Sequence, residues 1–452
     1  MTEVTTRQAD LSRRLPGLVS MPGEDRYAAT IAIWAKQTGV APTAVVHCSR
    51  PEHVQAAIRT ARDVNLPLSV RGGGHDWAGR ALCDGLVIDL SGMRDVVIAP
   101  DRSTALIGGG ARASDVVAVT EPLGLALVGG SAACVGVAGL TLGGGYGPLI
   151  GRHGLALDNL LEAEVVLADG SIVSASDEQH KELFWALRGG GGNLGVVTAL
   201  RCRLHELPSV HTGLLLYPFS EAKQVLGRCT ALAVSMPDEF SVQVGIAAGF
   251  DGTFAVLVAP AWCGRPDEGE TRLAPFLQLG TLLGGTIERK SYGSLLSMFD
   301  AFVVDGLRVV METSWLETLD GDSIDALIAA MKNAVSPGCA IVTHEFKGAA
   351  SRVAADATAF GLRRDHILIE ILAMFPNGSD ALQEQRHLDW ARSTRDRLTR
   401  AMPGGYPNLL GRDDADRAKA SYGGNAERLL AAKRRYDPDN IFSSTIPLPS
   451  LS

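Results

Sequence analysis

Three short glycine clusters in the first half of the chain restrict its fold more than any other feature of the sequence. They are Gly72–Gly74, followed directly by His75, then Gly143–Gly147 and Gly189–Gly192. Tight glycine turns present backbone N–H groups that bind anions and let a pyrophosphate approach closely. Any one cluster is as easily an ordinary tight turn. The three together predict a large phosphorylated cofactor.

The last cluster contains Gly190, Gly192 and Gly195 at the spacing of the dinucleotide-binding fingerprint. That fingerprint needs a strand before it and a helix after it. Here the preceding residues, ELFWALR, are helix-like, and the following ones, VVTALRCRL, are strand-like. The reversed order argues against a Rossmann site and therefore against an NAD-dependent dehydrogenase. The cofactor must be held by another architecture.

Composition and charge exclude several classes of protein. Of 452 residues, 46% are apolar and 20% are charged, which is typical of a folded chain. The net charge of −8 argues against a nucleic-acid partner. Pro122–Gly151 carries no charge, but its many glycines and Pro148 are unlike a membrane span, so we expect no membrane partner. The N-terminus lacks an apolar signal segment, which favours a cytoplasmic location.

The cysteines and histidines give no sign of a metal site. The seven cysteines are scattered, odd in number and without a CxxC pair, so neither a disulfide framework nor a zinc site is predicted. His75 directly follows the first glycine turn, where its imidazole would reach whatever the turn holds. It could act there as a base, a metal ligand or a covalent attachment point. No second histidine or carboxylate stands at ligand spacing, so we expect no metal.

The texture of the sequence changes after Leu207-Pro208. Before that point, short strand-like runs alternate with glycine turns; after it, long strand-like runs alternate with helical segments, and no such glycine cluster recurs. We therefore expect an α+β protein. Its three segments are an N-terminal part over 1–207, a second domain with a helix-backed antiparallel sheet over 208–403, and a C-terminal return over 404–452.

Six motifs, in this order, resemble those of a known family. They are VRGGGHDWAG at 70–79, VGVAGLTLGGGYG at 135–147, RHGLALDNLL at 152–161, ELFWALRGGGGNLGVVT at 182–198, YPN at 406–408 and RYDPDNIF at 435–442. The chain thus resembles the FAD-linked oxidoreductases of the vanillyl-alcohol oxidase superfamily, in the berberine bridge enzyme-like branch. The resemblance implies a two-part PCMH-type FAD-binding domain with an inserted antiparallel-sheet substrate domain.

The resemblance also assigns residues to the FAD site. Stretches 71–75 and 136–141 resemble those that bind the pyrophosphate through backbone N–H groups, and the C-terminal motifs resemble groups that return to the flavin. The cofactor-binding residues implied in this way are Arg71, Gly72, Gly73, Gly74, His75, Gly136, Val137, Gly139, Leu140, Thr141, Gly145, Val197, Tyr406, Asn408 and Asn440.

His75 is similar to the family's histidine that is bonded covalently to the 8α-methyl group of the flavin. Many relatives carry a second link through a cysteine, at the position that Ala132 occupies here. Cys134 stands two residues later, and in an extended segment that offset moves the sulfur by ~7 Å. We therefore expect a single histidyl link, with Cys134 lining the pocket.

On the substrate side, Glu345 and Tyr406 are the catalytic candidates. Glu345 would act as a general base if burial raises its pKa, or it is an ordinary strand carboxylate. Tyr406 would position the substrate or accept its proton. Relatives often have a Lys and a His in the segments that read Val310–Thr313 and Phe360–Arg363 here, so no substrate is borrowed from them. Glu312 in place of that Lys hints at a basic substrate.

Together these features predict an FAD-dependent oxidase that takes a hydride from a small organic substrate, such as an alcohol, an amine or a secondary metabolite. The expected electron acceptor is O₂, with hydrogen peroxide as the product. A flavin dehydrogenase with another acceptor is an alternative within the same class. A flavoprotein that binds or sequesters a metabolite is an alternative outside it. A homodimer is compatible with all three.

Overall fold

The computed structural model describes residues 3–249 and 251–449, whose strands form three sheets. In these ranges the first sheet has four strands: β1 (Val19–Ser20), β2 (Ala44–His47), β3 (Leu68–Arg71) and β4 (Leu86–Asp89). Its order is β1-β2-β4-β3, with β2, β4 and β3 parallel. Every residue of β2 and β4 is buried, as expected of parallel strands. Because β3 ends at Arg71, the first glycine turn begins at the carboxyl edge of this sheet.

The same part of the chain gives the second sheet six antiparallel strands. They are β5 (Val96–Ile98), β6 (Thr104–Gly108), β7 (Leu125–Leu127), β8 (Leu160–Val166), β9 (Ile172–Ser176) and β10 (Val196–Glu206). Their order is β5-β6-β10-β8-β9, and β7 pairs with the end of β10. Strands β8 and β9 form a hairpin, with Gly170 at φ +80° in its turn.

Among the described residues, nine antiparallel strands form the third sheet. They are β11 (Val210–Thr212), β12 (Leu215–Pro218), β13 (Phe240–Ala248), β14 (Phe254–Trp262), β15 (Glu288–Lys290), β16 (Arg308–Leu316), β17 (Cys339–Phe346), β18 (His366–Phe375) and β19 (Ala401–Met402). Their order is β15-β11-β14-β13-β17-β18-β16-β19, with β12 beside β14. The predicted α+β class with an antiparallel sheet in the second half of the chain is confirmed.

The described residues form these helices: α1 (Glu3–Arg14), α2 (Asp25–Ile31), α3 (Pro51–Asp63), α4 (Ala113–Thr120), α5 (Val137–Gly143), α6 (Ile150–His153), α7 (Lys181–Gly190), α8 (Ala222–Val234), α9 (Gly269–Leu273), α10 (Tyr292–Leu296), α11 (Gly321–Lys332), α12 (Ala349–Arg352), α13 (Ala381–Asp396), α14 (Ala415–Tyr422) and α15 (Ala426–Tyr436). The regular part of α7 ends at Leu187, because Arg188 and Gly189 have non-helical backbone angles. No helix in residues 3–249 or 251–449 combines the length and apolar character that a bilayer span needs.

One face of the third sheet is covered and the other is open toward the first half of the chain. Helices α8, α11 and α13 pack on the covered face, against alternate strand residues such as Ile246, Ile341 and Ile371. Because side chains alternate along a strand, the residues between them point the other way. The open face therefore becomes a wall for whatever the first two sheets hold.

The C-terminal segment packs against the first half of the chain. Both α14 and α15 contribute buried side chains to the core around α7. The buried Lys433 donates to the carbonyl oxygen of Asn193 at 2.9 Å and to Oδ2 of Asp437 at 2.6 Å. These contacts support the return of the C-terminal segment to the first half of the chain. The division into three segments remains a proposal.

Candidate active site

A cavity of about 510 Å³ lies between the glycine turns of the first half and the open face of the third sheet. Its lining comes from the turn after β3, from α5, from the start of β10, from strands β13, β17 and β18, and from the C-terminal tail. Among residues 3–249 and 251–449, no group of three or more His, Cys, Asp or Glu side chains is arranged to hold a metal ion. One space thus joins residues that are far apart in the sequence.

Two glycine turns meet at one end of this cavity. A Cβ atom on Gly73 would lie 2.3 Å from Cα of Gly136, and one on Gly136 would lie 2.7 Å from the backbone nitrogen of Gly73. A side chain at either position would force the two backbones apart. Arg112 holds the pair by donating from Nε to the Gly73 carbonyl at 3.0 Å. A Cβ on Gly139 would meet open space, so a ligand can approach the backbone there.

His75 lines the cavity next to the first turn. Its ring stacks on Trp34, with centroids 4.4 Å apart and planes 8° from parallel. The Sγ atom of Cys134 lies 3.7 Å from its Nδ1. Burial lowers the pKa of His75 to about 4. At neutral pH the imidazole is therefore uncharged and keeps a nitrogen lone pair for bonding.

Tyr406 and Asn408 reach the cavity from the C-terminal tail. The Tyr406 hydroxyl oxygen accepts hydrogen bonds from the N–H of Gly145 at 2.8 Å and from Nδ2 of Asn408 at 2.9 Å. Asn408 also donates to the carbonyl of Leu140 at 3.0 Å. Burial raises the pKa of Tyr406 to about 12. Because two donors already engage the oxygen, its own proton is free for a group in the cavity.

The residues around the glycine turns fit FAD. The cradle of Gly73 and Gly136 has no side chain between it and the cavity, which is what close contact of backbone N–H groups with a pyrophosphate needs. Three cavity-lining residues, Trp34, Ser69 and Trp77, have buried polar atoms (Nε1, Oγ and Nε1) without a hydrogen-bond partner in the protein. Buried polar atoms normally have partners, so these three atoms fit a site whose ligand supplies them.

Ten of the fifteen predicted cofactor residues line the cavity. They are Gly72, Gly73, Gly74, His75, Gly136, Gly139, Leu140, Val197, Tyr406 and Asn408. The structure thus brings together residues that span more than 330 positions of the sequence, from the turn after β3 to the tail. Their contacts with a bound cofactor stay predictions.

Two of the other five, Arg71 and Asn440, support the backbone and do not line the cavity. The Nη1 atom of Arg71 donates to Oδ1 of Asp89 at 3.0 Å, in a buried ion pair. Asn440 is exposed, with a left-handed φ of +50°, in a turn whose N–H groups bond to the buried carboxylate of Asp437. After this turn, Phe442 and Ser444–Ile446 line the cavity.

The remaining three belong to α5 and the turn after it. Val137 and Thr141 are one helical turn apart and buried, on the side of α5 that faces away from the cavity-lining residues Gly136, Gly139 and Leu140. Gly145 does not line the cavity but donates its N–H to Tyr406. These three residues therefore do not line the cavity, but they support the residues that do.

Glu345 lies on the other face of β17 from the main cavity, which corrects its predicted place beside the substrate. Its strand neighbour His344 lines that cavity, and consecutive side chains point to opposite faces. Oε2 of Glu345 accepts the N–H of Val242 at 3.1 Å and lies 3.6 Å from Nζ of Lys347. Burial does raise its pKa, to about 7. The raised pKa meets the condition set for a general base, but the side chain does not point into the main cavity.

The carboxylate inside the cavity is that of Glu370, on β18. Its Oε1 lies 3.0 Å from Nε2 of His344, and Nε2 of Gln243 lies 3.4 Å from the same histidine nitrogen. Sequence analysis missed Glu370 and His344, as well as Trp34. A signal was present, because Glu370 is the only carboxylate in the strand sequence HILIEILAMF, and a carboxylate among buried apolar residues is rare without a function.

Glu312 is part of an interior ion cluster and does not point at the cavity. Its carboxylate lies 2.7 Å from Arg395, 3.4 Å from Arg417 and 3.6 Å from Arg392. The preceding residue, Met311, is the one that lines the cavity. The hint of a basic substrate that rested on Glu312 was therefore wrong.

Comparisons with known proteins agree with this site. A family model described as an FAD binding domain matches residues 42–176, and one described as berberine and berberine-like matches residues 405–449. The FAD-linked oxidoreductase aurO of Gibberella zeae is 29% identical over 425 residues, which are 92% of this chain and 82% of that protein. The (R)-6-hydroxynicotine oxidase of Paenarthrobacter nicotinovorans is 29% identical over 443 residues, which are 95% of each chain.

Among solved structures, 6-hydroxy-D-nicotine oxidase from Arthrobacter nicotinovorans has the same fold. It matches with a TM-score of 0.86 and 28% identity, over 96% of this chain and 98% of that one. The two glycine turns, His75 and the tail that returns to them thus define an enzyme of the FAD-linked oxidoreductase class, with FAD as its cofactor. Within that class, the chain carries a berberine-like segment at its C-terminal end and is similar to 6-hydroxy-D-nicotine oxidase over nearly its whole length, as the motifs predicted.

Proposed function

We propose that this protein is an oxidase that removes a hydride from a carbon bearing an O–H or N–H group on a small organic substrate. The substrate loses two hydrogens, and O₂ gains them as hydrogen peroxide. The observation that carries the proposal is that His75, Tyr406 and the Glu370–His344 pair line one cavity. FAD, when bound, supplies the hydride acceptor.

The chain's own contribution is to hold the substrate and to take its proton. Glu370 is the proton acceptor in this proposal, because its carboxylate lies in the cavity and its contact with His344 at 3.0 Å orients it. Tyr406 holds the substrate oxygen or nitrogen by donating its free hydroxyl proton.

We also propose one covalent link between His75 and the 8α-methyl group of FAD. The uncharged imidazole, stacked on Trp34, is the form that has a nitrogen lone pair to bond. Such a link would replace one imidazole N–H bond and one methyl C–H bond with an N–C bond, and O₂ would take up the two hydrogens as hydrogen peroxide. Ala132 lines the cavity where relatives with a second link have cysteine, and Cys134 contacts the His75 ring.

The name of one relative, (R)-6-hydroxynicotine oxidase, supports oxidase chemistry on a small organic molecule. The test is to screen the purified yellow protein against alcohols, amines and phenols for release of hydrogen peroxide. Rapid reoxidation of the reduced enzyme by air, followed by stopped flow, is expected for an oxidase. Slow reoxidation would instead indicate a dehydrogenase with another acceptor, and a ligand that binds without bleaching the flavin would indicate sequestration.

The covalent link has a separate test. After acid precipitation, flavin fluorescence should stay with the polypeptide on a denaturing gel, and His75→Ala should release it into the supernatant. Flavin in the supernatant from the unaltered protein would contradict the link. The homodimer and the cytoplasmic location stay predictions, to be checked by gel filtration and cell fractionation.

A further inference from the structure

The third sheet lines the cavity in successive rows, because its strands are paired in register. Gly245 of β13 pairs with Val342 of β17, which in turn pairs with Glu370 of β18. The next row on this face contains Ala340, paired with Leu372. Neighbouring rows on one face of a strand are roughly 7 Å apart. Moving along the strands therefore moves a ligand from one chemical environment to the next.

Polar side chains on this wall are confined to its inner rows. Where β13, β17 and β18 face the cavity, the hydrogen-bonding side chains are those of Gln243, His344 and Glu370. Beyond Glu370, the cavity is lined by Ala247, Met311, Ala340, Leu372 and Met374, which we call the outer wall. A polar substituent held against these side chains would lose its hydrogen bonds to water without replacement.

The outer wall has a definite length, and two of its side chains are small. Glu370 and Met374 are four residues apart on one face of β18, so the wall extends ~13 Å from the carboxylate. An extended chain of about ten bonds covers that distance. Two of its residues, Ala247 and Ala340, have the smallest apolar side chains, which leaves room for a group lying along the strands. Phe299 and Phe302 line the same cavity from the segment before β16.

We propose that the outer wall binds an extended apolar tail of the substrate while Glu370 and His344 meet its reacting end. This inference rests on the proposed function in one respect, which is that the reacting end of the substrate lies at Glu370. It names the substrate class as an alcohol or amine with a single alkyl or aryl tail. Oligosaccharides are excluded, because their hydroxyl groups would be buried against apolar side chains.

The test uses the flavin-loaded enzyme and a ladder of straight-chain 1-alkanols from butanol to dodecanol. Binding is followed by the change in flavin absorbance and by calorimetry, so no turnover is needed. We expect the affinity to rise about fourfold per added methylene until the tail fills the wall at about ten bonds, and then to level off. Xylo- and chito-oligosaccharides serve as the polar comparison and should not bind.

Two variants test the position of the tail. Ala340→Leu places a larger side chain on the outer wall, and should make the affinity level off at a shorter tail while butanol binds as before. Ala247→Leu, on β13, should do the same if the β17 variant fails to fold. Ala431→Leu makes the same substitution at an exposed position of α15 that does not line the cavity, and should leave the ladder unchanged.

The outcomes separate this inference from the proposed function. The tail site would be overturned, even if peroxide is released, by any of three results. These are an affinity that does not change with alkanol length, an affinity that levels off at the same tail length in both leucine variants and the unaltered protein, and tighter binding of an oligosaccharide than of the alkanols. An affinity that rises with each methylene, and that levels off at a shorter tail in the leucine variants, would support the tail site even if no substrate in the screen yields peroxide.

Discussion

The two halves of the cavity are built by different means. On the cofactor side the backbone forms the surface, and Gly73 and Gly136 approach so closely that neither tolerates a Cβ atom. On the substrate side the surface is made of alternate side chains on open strands, with Glu370 and His344 among apolar residues. A backbone site requires one residue type at fixed places. A site made of side chains requires only that the strand faces carrying them point into the cavity, and many sequences satisfy that condition.

The largest effect is expected from filling the backbone contact on the cofactor side. The Cβ atom of Gly73→Ala would lie 2.3 Å from Cα of Gly136, and neither backbone can move without disturbing the turns predicted to hold FAD. Overpacking typically costs about 1–3 kcal/mol and occasionally more, and this contact is backbone against backbone. We expect a colourless protein, measured as the ratio of flavin absorbance to protein absorbance.

Gly129→Ala is the matched control, because a Cβ there meets nothing within 4 Å and Gly129 does not line the main cavity. It should bind flavin normally. Full flavin content in Gly73→Ala would show that the two turns are more pliable than their spacing indicates, and would weaken the contrast between the two halves.

The same contrast explains what the sequence could predict. The glycine turns, the position of His75 beside the first of them and the α+β class follow from local patterns, since tight turns and strand periodicity are read directly from neighbouring residues. The place of Tyr406 was predicted only from the resemblance of its motif to the family. The motif around Asn440 was also visible, but a motif does not say whether a residue touches the ligand or shapes the turn, and Asn440 is exposed.

The substrate half could not be derived in the same way. Alternation places Glu345 and His344 on opposite faces of a strand, but it does not say which face is open, because that depends on where α8, α11 and α13 pack. The pairing of His344 with Glu370 depends on the register between β17 and β18. Register is set by long-range contacts, and a shift of one residue exchanges the two faces.

The second prediction tests whether Glu370, and not Glu345, is the carboxylate that acts on the substrate. Glu370→Gln removes the carboxylate inside the cavity, and we expect kcat/KM to fall by about 10²–10⁴, as is typical when a general base is lost. Glu345→Gln, on the opposite face of the neighbouring strand β17, should leave kcat/KM within about threefold, since remote substitutions that are tolerated cost little. Steady-state peroxide release with the substrate from the screen measures both. Equal losses in the two variants would mean that the face assignment is wrong.

Glu345 should instead reveal itself in the pH dependence of stability. Its pKa is raised to about 7 by burial, against its ordinary value near 4.5. Between pH 4.5 and pH 7 the folded protein keeps a proton that the unfolded chain gives up, so the free energy of unfolding falls as pH rises through this range. The groups around Glu345 that also bear on this are Lys347, Asp365 and Cys229.

Glu345→Gln removes that pH-dependent loss. Relative to the unaltered protein, we expect the variant to be about as stable near pH 4.5 and more stable by up to about 3 kcal/mol at pH 8. Urea unfolding at several pH values measures the difference. The exposed Glu178→Gln is the control and should show no such trend. A difference that stays constant with pH would mean that the carboxyl is ionised in the folded protein.

The smallest effect distinguishes two buried tyrosines, one in the cofactor half and one outside the cavity. The Tyr406 oxygen accepts two hydrogen bonds, from Gly145 and Asn408, so Tyr406→Phe leaves two donors unpaired. That should cost about 1–3 kcal/mol in the free energy of unfolding. The hydroxyl of Tyr292 is buried without a partner, so Tyr292→Phe should be within about 0.5 kcal/mol of neutral, or stabilising. Urea unfolding of both variants in the flavin-loaded form measures this, and equal losses would show that the Tyr406 network contributes packing alone, so that its hydroxyl has no special place in the site.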